Sequence, residues 1–227
     1  MNNNQIDEKL IKSMMDAGVE YGHRSARLHP KMKPYISGMK MGIYLIDLIQ
    51  TAEKLKASLE FLQSIKKEGK QVLFVGTKIQ IRKSVAEIAQ KCNMPYVHER
   101  WLGGTLTNFK VISRRVKELI EKEEKRDKGG FDHYTKKERL VIDQEIERLR
   151  KNFQGLKMMK ELPAAVFIFD LDKNELAARE ALRKGIKSIA LVDTNLNPTI
   201  VDYPIPANDD ALSSVAFILE EVKKIFN

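Results

Sequence analysis

The chain holds little with which to build redox or covalent chemistry. One of its 227 residues is a cysteine, Cys92, so no internal disulfide can form. Its place on an amphipathic stretch reads as a core thiol, which suits a reducing compartment. Long apolar runs are missing too. The longest, Ala164 to Phe169, falls far short of the about 20 residues a membrane-spanning helix needs, and Met1-Asn-Asn-Asn-Gln lacks the basic and apolar parts of a signal peptide. Together these predict a cytosolic protein with no membrane partner. The histidines His23, His29, His98 and His133 have no metal-like spacing, and no serine or cysteine has a recognisable base beside it. The three spaced glycines of a dinucleotide site are absent. Gly76-Thr77-Lys78 follows a strand-like run, but Ile81 and Arg82 stand where a phosphate loop needs glycine and lysine. It reads as an ordinary strand-to-helix turn. Asp193 and the Asp209-Asp210 pair fall near expected strand ends, where a cation is conceivable; helix capping by Asp209 or Asp210 is the simpler reading. No enzyme, cofactor or small-molecule substrate is expected.

Acid is scarce where base is dense. The net charge is +9. Tyr21 to Ile46 holds Arg24, Arg27, Lys31, Lys33 and Lys40 and no acidic residue, and Thr105 to Lys160 holds sixteen Lys/Arg against ten Asp/Glu, leaving −2 for the remainder. Concentrated positive charge is the footprint of a polyanion partner. Each cation in the glycine- and proline-rich segment can neutralise a backbone phosphate and release counterions. Arginine planes can stack on exposed bases, and Tyr35 and Trp101 offer aromatic faces. Arg114 and Arg115 stand near the root of the second basic stretch.

Apolar periodicity predicts an α/β body. Ile6, Leu10, Ile11, Met14 and Met15 share a helical face. Gly22, Pro30, Pro34, Gly38 and Gly42 then predict a loop with short extended pieces. Ile43–Ile46 reads as a buried strand, followed by a helix capped by Asp47 or Thr51, with Ala52, Leu55, Leu59 and Leu62 inward and Gly69 as its stop. Further strands are expected at Val72–Val75, 95–97, 165–169 and 188–192. Helices are expected to bury Val85, Ile88 and Ala89; then Leu176, Ala177, Ala181 and Leu182 before Gly185; then Leu212, Val215, Leu219 and Val222. Continuous β-branched runs joined by helices imply a doubly wound parallel sheet.

Between residues 105 and 160 this rhythm stops. Phe109, Ile112, Val116 and Leu119 form one seam, and Ile142, Ile146, Leu149, Phe153 and Leu156 another, as in two helices packing along each other. Gly129-Gly130 marks the tip, Thr135-x-x-Glu138 is a capping box, and Thr105 or Thr107 is expected to cap the first helix. The expected division is a discontinuous body, 1–104 and 161–227, with a coiled-coil hairpin inserted at 105–160. Arg100-Trp101-Leu102-Gly103-Gly104-Thr105-Leu106-Thr107-Asn108-Phe109 is its hinge.

Several longer words occur in order: Ala17-Gly18-Val19-Glu20-Tyr21-Gly22-His23, Pro30-Lys31-Met32-Lys33-Pro34-Tyr35-Ile36, Ile46-Asp47-Leu48, Phe74-Val75-Gly76-Thr77-Lys78, the hinge, Val192-Asp193-Thr194-Asn195, and 205–211. In these the chain resembles the bacterial-type small-subunit ribosomal protein S-two family, from about Ile6 to Ile218. The resemblance implies a flavodoxin-like body with a coiled-coil hairpin and a structural place in the small ribosomal subunit. There it would bind rRNA between head and body and support docking of the messenger-binding ribosomal protein S-one among neighbouring proteins. It makes the basic loop and hinge the expected rRNA contacts: Arg24, Arg27, Lys31, Lys33, Arg100, Trp101, Asn108, Arg114 and Arg115. Two rivals stand beside it. One is a nucleotide- or small-molecule-binding enzyme on the same sheet; the other is a scaffold that self-associates through the hairpin.

Overall fold

Successive residues of a strand point to opposite faces, and in this chain both faces are apolar. The computed structural model describes residues 8–226; Ile6 and residues 1–5 lie outside it. In chain order the elements are α1 (Glu8–Asp16), β1 (Tyr21–Arg24), β2 (Ile36–Lys40), β3 (Ile43–Ile46), α2 (Leu48–Lys67), β4 (Val72–Val75), α3 (Arg82–Lys91) and β5 (Tyr96–Val97). There follow α4 (Phe109–Asp127), α5 (Lys136–Phe153), β6 (Ala165–Ile168), α6 (Leu171–Lys184), β7 (Lys187–Val192), β8 (Tyr203–Pro206) and α7 (Leu212–Phe226). Val72 and Phe74 join Phe167, Ile189 and Ile205 in one core beneath α1, α2, α3 and α7. Leu73 and Val75 join Val166, Ile168, Ala190 and Val192 in a second core, closed by α6, the roots of α4 and α5, and Met32 from the basic loop.

The parallel sheet runs β5-β4-β6-β7-β8. Numbered by their order in the chain, its strands lie 2-1-3-4-5, the flavodoxin-like order, whose ligand crevice falls between β4 and β6. Membership differs from the sequence reading at one edge. Ile43–Ile46 is only partly buried and belongs to a separate antiparallel sheet, β1-β3-β2, built from the segment read as mostly loop. The fifth parallel strand is Tyr203–Pro206, which carries Pro204 and Pro206. Proline is confined to sheet edges because it has no N–H to give, and β8 pairs on one side only, with β7.

Side-chain caps explain several boundaries. The Asp47 carboxylate accepts from Ile49 N at 2.9 Å, so Asp47 caps α2, while Thr51 donates to Pro206 O. The Thr135–Glu138 capping box opens α5. Neither Thr105 nor Thr107 caps α4; Asn108 occupies that position without a side-chain bond. Nor does Asp209 or Asp210 cap α7: Asn208 Oδ1 accepts from Asp210 N and Ala211 N instead. On α6, Leu176 and Leu182 are 48% and 72% exposed, and the buried face carries Asn174 and Glu180 among its alanines. α4 and α5 pack together through Ile112, Val116, Leu119, Ile146, Leu149 and Phe153, all within the second core. Phe109 and Ile142 are partly buried against it. Gly155, past the end of α5, lies so close to the body that an added Cβ would stand 2.1 Å from Tyr96 O.

Candidate nucleic-acid interface

The C-terminal ends of the parallel strands gather most of the distinctive words. After β4 comes Gly76-Thr77-Lys78, after β6 Asp170, after β7 Asp193-Thr194, and after β8 Asn208-Asp209-Asp210. At the crevice between β4 and β6 the chain places its own carboxylate where a doubly wound protein would seat an anion. Asp170 Oδ2 accepts from Thr77 N at 2.8 Å, Thr77 Oγ1 at 2.9 Å and Lys78 N at 2.8 Å, and Oδ1 accepts from Asn174 Nδ2 at 2.6 Å. Burial pushes Asp170 up in pKa, against the pull of these donors. The buried Lys78 ammonium reaches Asp209 Oδ1 and Asp210 Oδ1, both at 2.7 Å. Burial alone would lower its pKa; the two carboxylates outweigh that and raise it. The phosphate-cradle pattern is thus filled from within.

One step outward, His23 Nδ1 lies 3.1 Å from Asp193 Oδ1 and Nε2 lies 3.4 Å from Asp210 Oδ2. The bond to Asp193 raises its pKa, with burial opposing. One ligand atom from each of these three residues falls within 4.8 Å of the others, a spacing that fits a metal ion. Both imidazole nitrogens face carboxylates, however, and Lys78 already holds Asp210, so the His23 ring and the Lys78 ammonium occupy the oxygens that a metal would need. Burial pushes Asp209 up to about 7 despite Lys78, and its Oδ2 has no hydrogen-bond partner among the described residues.

This network ties the basic loop to the sheet. His23 N donates to Thr194 Oγ1 and His29 N to Thr194 O, both at 2.8 Å. Met32 is fully buried in the second core, with Leu28 and Tyr35 packed beside it. Residues 24–33 therefore form a fixed lip. Arg24, Arg27, Lys31 and Lys33 are exposed on it, and none makes an ion pair among the described residues; Lys31 Nζ bonds Thr199 Oγ1 at 2.9 Å. Arg24 and Arg27 line an open cleft of about 430 Å³ with His23, Asp193, Asn208 and Asp210.

The hinge residues part company. Arg100, Asn108, Arg114 and Arg115 are exposed, and Arg115 is paired with Glu118 at 2.7 Å. Trp101 is 6% exposed within the second core, and its Nε1 donates to Glu180 Oε1 at 3.1 Å. Its ring is therefore not available to stack on a base, which corrects its place among the expected contacts. Lip and hinge rest on the same core, since Met32 and Trp101 belong to one cluster. Sequence reasoning missed Asp170, Glu180 and His23 as organisers. For Glu180 a signal existed: it stands three residues after Ala177, on the apolar face of its helix.

Fold and site together define an α/β protein whose ligand crevice is closed by its own carboxylates and whose unpaired cations stand on a lip beside it. Comparison with known proteins gives that class its family. Residues 14–226 match the family described as Ribosomal protein S2. A protein named small ribosomal subunit protein uS2 from Coprothermobacter proteolyticus is 44% identical over 93% of this chain and 79% of its own length. One of the same name from Chloroflexus aurantiacus is 45% identical, with 93% and 89% covered. The uS2c protein of Rhodomonas salina is 43% identical, with 93% and 87% covered. The chain belongs to the ribosomal protein S2 family. It is a structural, non-enzymatic ribosomal protein that works in translation. No helix among the described residues is long and apolar enough to cross a membrane.

Proposed function

We propose that this ribosomal protein holds its place in the small subunit by gripping rRNA between head and body with the lip and the hairpin root. Arg24, Arg27, Lys31 and Lys33 meet backbone phosphates, and Arg100, Asn108 and Arg114 extend the contact, with Arg115 joining them on leaving Glu118. Recognition runs mainly through phosphate position and RNA shape. The observation that carries this reading is the lip itself: four exposed cations that form no ion pair among the described residues, Arg27 feeling the Asp210 carboxylate without contact, on a backbone fixed by Thr194 and Met32. The body comprises 1–104 and 161–227, and the insertion at 105–160 is the coiled-coil hairpin that lies against the RNA. The family resemblance extends the proposal to support for the messenger-binding protein S-one and to work on the cytoplasmic ribosome.

Filter binding of the purified chain to deproteinised small-subunit rRNA, across a salt series, tests the grip. Tight binding with a steep salt dependence is expected, together with co-sedimentation with small subunits on sucrose gradients. Absence from small subunits at ordinary salt would overturn the reading.

A further inference from the structure

A buried carboxylate needs donors, and Glu180 on α6 takes nearly all of its donors from the hinge. Its side chain is 2% exposed. Oε1 accepts from Trp101 Nε1 at 3.1 Å and Gly104 N at 2.8 Å. Oε2 accepts from Leu106 N and Thr107 N, both at 3.0 Å, and from Thr107 Oγ1 at 2.9 Å. Five donors from seven consecutive residues thus converge on one group. Burial alone would raise its pKa, but the hinge N–H groups more than offset this and hold it below the usual carboxylate range. The bonds are charge-assisted, the stronger kind.

The position of this pin matters for what leaves the hinge. α4 begins at Phe109, two residues after Thr107, and its N-cap residue makes no side-chain bond. Glu180 does not bond the N–H groups of the first turn of α4, but its fixed negative charge on Leu106 N and Thr107 N lies just ahead of the helix, where it favours the helix dipole. The pinned stretch is flanked by the exposed Arg100 and Asn108, with Arg114 in the second turn of α4. Gly104 lies within the pinned stretch at φ +94°, a backbone angle that favours glycine.

We infer that Glu180 is a positioning residue for nucleic-acid binding: by gathering the hinge donors onto α6 it sets the direction in which the hairpin leaves the body, and so where Arg100 and Arg114 meet the RNA. This rests on the rRNA reading above and adds to it a residue that touches no RNA.

Trp101 is the only tryptophan, so its fluorescence reports the pin directly. Glu180→Gln keeps the shape but sets an amide NH2 against N–H donors. The expected result is a folded protein with a cooperative melt, a changed Trp101 emission and about tenfold weaker binding to deproteinised small-subunit rRNA well below the melting temperature. Arg114→Ala should cost less affinity in Glu180→Gln than in the unaltered chain, because a misdirected arginine has less to lose. Thr107→Val, which removes one hydroxyl donor and keeps the charge, should show the same non-additivity on a smaller scale and serves if Glu180→Gln does not fold. A folded variant with altered emission, unchanged rRNA affinity and additive Arg114→Ala would overturn the positioning role and leave Glu180 a structural residue only. Failure of the unaltered chain to bind rRNA is a different result and would sink the functional reading with it.

Discussion

Two regions at the C-terminal edge of the parallel sheet use charge in opposite ways. In the crevice every charge is answered within the chain: Asp170 by Thr77, Lys78 and Asn174, and Lys78 by Asp209 and Asp210. On the lip, Arg24, Arg27 and Lys33 are exposed and make no ion pair among the described residues, Arg27 being attracted by Asp210 without contact. Both regions are held by the same loops, yet one closes a site that the fold would otherwise offer and the other leaves one open. A formal charge count registers neither fact, since it weighs a buried ammonium between two carboxylates equally with a free guanidinium.

The largest expected effect lies in the crevice and falls on stability. Asp170→Ala strands two backbone N–H groups, a hydroxyl and an amide in a buried site, at a cost of about 3 kcal/mol. Thermal unfolding should show a melting temperature lower by about 6–12 °C, with rRNA affinity little changed for the protein still folded. An unchanged melting point would mean that this carboxylate is not what closes the crevice. The lip should give the mirror image. Arg24→Ala with Arg27→Ala removes two phosphate contacts, so the slope of log affinity against log salt should fall by about one to two units. Affinity should drop about 10- to 100-fold at ordinary salt, while the melting temperature barely moves. Affinity and slope both unchanged would remove the lip from the interface.

Between the two lies the His23 latch, and pH separates its share. His23 has a folded pKa above 6.5, so its contribution is complete below that value and is lost as pH rises through the folded value. Asp209 is raised from 3.8 to about 7, so the folded protein also holds a proton there that the unfolded chain releases. Stability from this group likewise falls as pH rises toward 7. The two act in the same direction from pH 6 to pH 8, whereas His98, whose pKa burial lowers, opposes them, so the share of the latch is read as the difference in melting temperature between the unaltered chain and a His23 variant. His23→Gln should remove the His23 share and leave that of Asp209, so the fall in melting temperature over this interval should be smaller than in the unaltered chain. A melting temperature that rises over that interval would show that the latch does not govern it.

The contrast explains what could be read from the residues alone. The strands at Val72, Ala165 and Ser188 were legible because they are buried on both faces and read as apolar runs. β8 was not, because Pro204 and Pro206 are strand residues only at an edge, and edge position is set by the tertiary fold. Ile43–Ile46 reads as a strand, but its place in the antiparallel sheet is not legible, since four apolar residues carry no sign of which partners they find. The lip cations were legible from the missing acids around them. The meaning of Lys78, Asp170 and Asp209 was not: these groups lie 92 and 131 residues apart in the chain, and only the fold brings them together. Trp101 shows the same limit from the other side, an aromatic in a basic word whose ring the core had already taken.

The hairpin supplies the smallest effect and a sharp check on the comparison. Its formal excess of +6, which is what remains after its ten acids are set against its sixteen cations, rivals that of the lip, but several of its individual cations are paired. Lys122 meets Glu145 at 2.7 Å and Glu118 at 3.2 Å, Arg150 meets Glu123 at 2.9 Å, and Lys157 also reaches Glu123. Lys122 is partly exposed, and such pairs contribute little because water and salt screen them. Lys122→Ala should therefore cost about 0.5 kcal/mol of stability or less and leave the rRNA salt slope unchanged, whereas Arg114→Ala, from an unpaired cation on the same helix, should lower that slope. If Lys122→Ala weakened rRNA binding as much as the lip variants do, pairing within the hairpin would not be what separates structural from RNA-facing charge. The arm would then have to open its own ion pairs on binding, and the lip would no longer be the special surface.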